Sequence, residues 1–76
     1  MMLDQLRFGQ RGWIIGVSGA GIVRKKLLDM GLTKDAPVEM CGSAPFGDPI
    51  WVRVRGTFIS LRRGHAAMVQ VELESM

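Results

Sequence analysis

Apolar and polar positions alternate with period two along five short stretches of the chain, and glycine or proline punctuates the gaps between them. Such alternation marks half-buried strands. Across Ile50–Arg55, Ile50, Val52 and Val54 fall on one face, with Trp51, Arg53 and Arg55 on the other. Pro37–Gly42 sets Val38 and Met40 against Glu39 and Cys41. Thr57–Leu61 turns Ile59 and Leu61 inward, and Met68–Leu73 places Val69, Val71 and Leu73 opposite Gln70 and Glu72. In Gly12–Ser18, Trp13, Ile15 and Val17 share one face, and Ile14 and Gly16 the other.

Between the first two strands the period changes to that of a helix, from about Ala20 to Met30. Ala20, Val23, Leu27 and Met30 then form one stripe, opposite Lys25, Lys26 and Asp29. Lys25 and Asp29 are four apart and can pair. Ile22 and Leu28 fall outside the stripe. Gly31 follows at the position where a left-handed residue ends many helices. One strand, one helix and four further strands predict a mainly β domain. The expected form is a five-stranded sheet curled into a small closed barrel, with the helix over one open end. A short helical turn can precede the last strand.

With 76 residues the chain is expected to form one domain, residues 1–76. At this size folding buries only about 60% of the unfolded chain's surface, so the core is thin and leaves little room for a deep pocket. A formal charge of +3 favours an acidic protein surface or a nucleic acid without requiring either. Cys41 has no partner for an internal disulfide, which fits a reducing cytoplasm. The longest uncharged stretch, Gly12–Val23, is far shorter than the roughly 20 residues of a spanning helix and is broken by glycines. No direct membrane insertion is expected.

"GVSGAGIVRKK", residues 16–26, has the look of a phosphate-binding turn. On the G-x-x-x-x-G-K-[ST] template, however, Ile22 stands where the lysine belongs and Val23 where the hydroxyl belongs. The dinucleotide template fails as well, because Arg24 replaces its last glycine. These glycines are read as a tight strand-to-helix turn. His65 and Cys41, each the sole residue of its type, cannot build a zinc cluster within one chain. A site shared between two copies, His65 with Asp or Glu, remains open. No nucleophile–base–acid set is recognisable, so no catalytic residue, cofactor or metal site is assigned. Trp51, Arg53 and Arg55 are the candidate contact residues. Trp and Arg are enriched at interface hot spots, and both can also stack on bases. The modest charge favours protein over nucleic acid.

Leu3, Leu6, Gly9, Gly12 and Ile14 are followed by "KLLDMGL" (26–32), "APFGDPI" (44–50) and "RGTFISLRR" (55–63), and then by Ala66, Val69 and Val71. In this order and spacing the chain resembles the FeoA family over residues 3–73. Two departures stand out. The turn after the helix has Lys34–Asp35 where FeoA-like sequences usually have Pro-Gly, and His65 stands where an acidic residue is common. Both positions are expected in turns.

The resemblance implies an SH3-like barrel and a non-catalytic, cytoplasmic role in ferrous iron uptake. The implied partner is FeoB, a membrane transporter with a cytosolic GTP-binding part. It supplies no residue-by-residue list of contacts. Trp51, Arg53 and Arg55 are therefore the expected partner-binding residues, with Arg24 and Leu28 on the helix as second choices. Gly31, Gly47, Asp48 and Pro49 are read as turn formers. The alternative is a small basic barrel that binds nucleic acid.

Overall fold

The computed structural model describes residues 1–75. A 3-10 turn (Leu3–Gln5) leads into strand β1 (Arg11–Val17), helix α1 (Gly21–Asp29) and strands β2 (Pro37–Ser43), β3 (Ile50–Val54) and β4 (Thr57–Leu61). A one-turn helix α2 (Arg63–Ala66) and strand β5 (Val69–Leu73) follow. All pairings are antiparallel, in the order β4-β3-β2-β1-β5. This is the mainly β architecture expected from the alternation.

The sheet does not close on itself. Instead of pairing with β4, β5 gives its outer edge to the start of the chain. Val71 N–H donates to Met1 O at 2.7 Å, and Met2 forms a bridge with Gln70. An edge already occupied cannot serve as a closing seam. The 3-10 turn that follows buries Leu3, and Leu6 just beyond it is buried as well, in a segment that carries no alternation.

Alternation holds most cleanly in β3, where Ile50, Val52 and Val54 are buried while Trp51 and Arg53 face out. It fails in β1. Register shifts between Ile14 and Gly16, so Ile14 and Val17 are both buried while Trp13 and Ile15 are exposed. A bulge inserts one residue and moves every later side chain to the opposite face. Leu73, at the end of β5, is also exposed rather than inward. At Gly12 the β1 and β5 backbones touch, and an added Cβ would lie 2.2 Å from Glu72 O.

The stripe on α1 is narrower than expected. Leu27 is buried, Leu28 and Met30 pack against the core, and Ala20, Ile22 and Val23 are exposed. The helix ends in a Schellman motif: Gly31 N–H bonds to Leu28 O and Leu32 N–H to Leu27 O, with Gly31 at φ +100°. Leu27 and Leu32 are both buried, so the same motif fastens the helix end into the core. The following turn has Ala36 N–H donating to Thr33 O, with Asp35 at φ +70°. No charged or polar side chain is buried among the described residues.

Candidate protein-binding face

The outer face of the β2–β3–β4 half of the sheet gathers aromatic and charged side chains in two rows. Antiparallel register sets Glu39, Arg53 and Phe58 side by side across the three strands. The Arg53 guanidinium donates through Nη2 to Glu39 Oε1, and its carbon lies 5.7 Å from the Phe58 ring centroid. Arginine is thus held in place from both neighbouring strands, which lowers the entropy that it would lose on binding a partner.

In the next row Gly42, Trp51 and Ser60 are opposed. The indole lies over Gly42, where an added Cβ would approach Trp51 Cε3 to 3.4 Å. Ser60 is small, and it leaves a shallow hollow of about 380 Å³ lined by Cys41, Trp51, Phe58, Ile59 and Ser60. Open apolar space beside an exposed Trp and Phe is the geometry of a hot spot, where an anchor side chain of a partner can be desolvated.

Arg55 is separated from this stripe. It forms the β3–β4 hairpin turn with Gly56, at φ +51° and +84°, so both central residues are left-handed as a tight primed turn requires. The Arg55 guanidinium donates to Thr33 Oγ1 at 3.0 Å. Arg53 and Arg55 still meet on a second, smaller hollow of about 170 Å³, together with Arg11, Pro37 and Glu39. The contact candidates therefore line two adjoining depressions, with Trp51 on one and the two arginines on the other.

Arg24 and Leu28 line neither depression. Arg24 Nε donates to Val17 O at 3.1 Å, tying the start of α1 to the end of β1. Leu28 is half-buried against the core. Phe58, by contrast, was not singled out from the sequence, although it is 67% exposed. Its signal was the alternation that turns Ile59 and Leu61 inward, which leaves residue 58 outward.

The 44–49 loop leaves Phe46 fully exposed. Gly47 lies at φ +88° and Asp48–Pro49 is a cis bond. Asp48 Oδ1 accepts from Arg63 N–H at 3.0 Å, so it caps α2 across the structure rather than bonding within its own loop. Arg63 returns the contact: its guanidinium donates to Gly47 O and, at 3.0 Å, to Asp4 O. His65 lies within α2, not in a turn. Among the described residues no three His, Cys, Asp or Glu side chains converge on a point where a metal ion could sit.

An antiparallel five-stranded sheet with a helical turn before its last strand defines an SH3-like domain. The family model of the FeoA domain matches residues 1–73, and the chain belongs to the FeoA family. A curated relative, the Fe(2+) transport protein A/Fe(2+) transporter FeoB fusion protein of Porphyromonas gingivalis, is 37% identical over 75 residues. That match takes in 99% of this chain and only 9% of the fusion protein.

Among solved structures, the FeoA-like protein of Clostridium acetobutylicum superposes with a TM-score of 0.91 at 33% identity, covering 100% of this chain and 88% of that one. The FeoA of Stenotrophomonas maltophilia, complexed with zinc and described as a prokaryotic SH3 domain protein, gives 0.84 at 26% identity, covering 95% and 89%. The family is thus one of accessory domains of ferrous iron transport.

Proposed function

We propose that this protein regulates ferrous iron uptake from the cytoplasm by docking, without catalysis, on the GTP-binding part of an FeoB-like transporter. The observation that carries this reading is the P. gingivalis relative, in which an FeoA unit and FeoB share one polypeptide. Covalent linkage raises the effective concentration of two modules that work together. On this chain, the outer face of β3 and β4 supplies what a contact needs: Trp51 and Phe58 to anchor, and Arg53 held ready between Glu39 and Phe58.

The test is capture of a purified FeoB cytosolic domain by the intact chain, compared with the triple variant Trp51→Ala, Arg53→Ala, Arg55→Ala. Capture is expected to be lost while the far-UV spectrum stays native. Undiminished capture removes this face from the account. Binding to single-stranded RNA instead, weakening steeply with salt, would favour the nucleic-acid alternative.

A further inference from the structure

The sheet has two outer edges, and the chain treats them differently. The β5 edge is covered by Met1 and Met2. The β4 edge is bare. Arg55 and Gly56 join the opposed pair Val54 and Thr57 through a two-residue turn, so that pair exchanges hydrogen bonds, as do Val52 with Ile59 and Ile50 with Leu61. Phe58 and Ser60 lie between these pairs, and their N–H and C=O groups therefore point away from β3. Arg55 N–H donating to Pro37 O, on the β2 side, shows the same alternation on β3. Among the described residues no other backbone group takes up the free positions at Phe58 and Ser60.

Charge selects the occupant. Arg55 and Arg62 stand at the two ends of β4, and among the described residues neither has a carboxylate partner. A second copy paired antiparallel about Ile59 would set Arg62 of each chain opposite Gly56 of the other, one position from Arg55, and so crowd like charges at both ends of the pairing. An acidic strand meets no such penalty.

We propose that the open edge of β4 accepts an extended, acidic-ended peptide segment as a sixth strand. Its central apolar side chain fills the hollow between Trp51, Phe58 and Ser60. Four backbone hydrogen bonds to Phe58 and Ser60 fix the register, and the hollow gives specificity, as in other cases of strand addition. The inference deepens the docking reading, on which it rests, by naming the kind of segment the transporter would present.

The probe is the blocked nonapeptide Asp-Glu-Thr-Val-Leu-Val-Thr-Glu-Asp, with a control in which lysine replaces every acidic residue. At saturating acidic peptide, amide exchange at Phe58 and Ser60 is expected to slow at least tenfold, with Ile59 little changed. Ser60→Pro removes an outward donor without touching the β3–β4 bonds, and is expected to lose the peptide. Should that variant fail to fold, the pair Arg55→Glu and Arg62→Glu decides, and is expected to switch preference to the lysine peptide.

Peptide binding without protection at Phe58 and Ser60, or equal binding of both peptides, overturns the proposal. So does protection of these amides that rises with protein concentration alone, which assigns the edge to a second copy. Transporter capture that survives Ser60→Pro in a folded chain also overturns it but leaves the docking reading standing. Peptide binding as expected, with no capture of the transporter domain, supports the edge site and defeats the docking reading.

Discussion

Arg53 on β3 stands over the ring of Phe58 on β4, at 5.7 Å from guanidinium carbon to ring centroid, while the same guanidinium holds Glu39 on β2. Three strands are thereby linked on their solvent side by one side chain, independently of the apolar core beneath. An exposed cation–π contact contributes about 0.5–1 kcal/mol, and a surface ion pair about as little. For stability the trio is minor. For recognition it matters more, because it fixes the direction of an arginine beside two exposed aromatic rings.

Phe58→Ala is accordingly expected to separate the two effects. Urea denaturation should show a loss of about 1 kcal/mol or less. Titration with the FeoB cytosolic domain should show a loss of about 2 kcal/mol or more, the cost of a hot-spot residue. Equal, small losses in both measurements would mark Phe58 as a bystander.

Gly31→Val tests the helix end. A Cβ at Gly31 meets nothing closer than Val54 Cγ1 at 4.0 Å, so space is not the obstacle. The obstacle is φ +100°, which a β-branched residue adopts only at a cost of about 1–2 kcal/mol or more. The midpoint of urea unfolding should fall accordingly.

The turn after α1 offers a gain. With Ala36 N–H on Thr33 O, and Asp35 alone of the two central residues at positive φ, it has the form of a type II turn. Proline then glycine suits the two central positions of that turn, and FeoA-like sequences usually have that pair there. The double change Lys34→Pro and Asp35→Gly is expected to raise stability by about 1 kcal/mol, since proline restricts the unfolded chain and glycine removes the left-handed penalty on Asp35. Thermal unfolding reads the result.

Gly12→Ala probes a close approach rather than a backbone angle. Its Cβ would fall 2.2 Å from Glu72 O, inside the β1–β5 ladder, where neither backbone can move alone. Overpacking of this kind costs typically 1–3 kcal/mol. The expected signature is a lower unfolding midpoint together with faster amide exchange along β5.

Where side chains alternate without interruption, the fold was legible. Ile50–Val54 gave strand, face and core residues together, because nothing in β3 disturbs the pleat. The resemblance to FeoA sequences, spread over short motifs, led to the same architecture and family. The bulge at Ile14–Gly16 left no mark in the sequence. Trp13, Ile15 and Val17 look like one face, and only pairing with β5 reveals the extra residue. Closure of the sheet could not be read either, since it depends on Met1 and Met2 reaching β5 across the whole length of the chain. Asp48 was legible as a turn residue, but its bond to Arg63 joins two distant segments and shows only in three dimensions.

On the candidate face, Trp51 and Arg53 were read together and stand together. Arg55 was read as their continuation, but the hairpin turn takes it out of line. Phe58 stands on the outward half of a strand whose pattern is carried by its inward residues, Ile59 and Leu61.

The most direct measurement is a map of amide and indole shifts in the labelled chain on addition of an FeoB cytosolic domain. Docking through the β3–β4 face predicts changes centred on Trp51, its indole N–H, Arg53 and Phe58, with α1 silent. A map centred on Arg24 and Leu28 instead, or saturating binding with the β3 face unmoved, would contradict it.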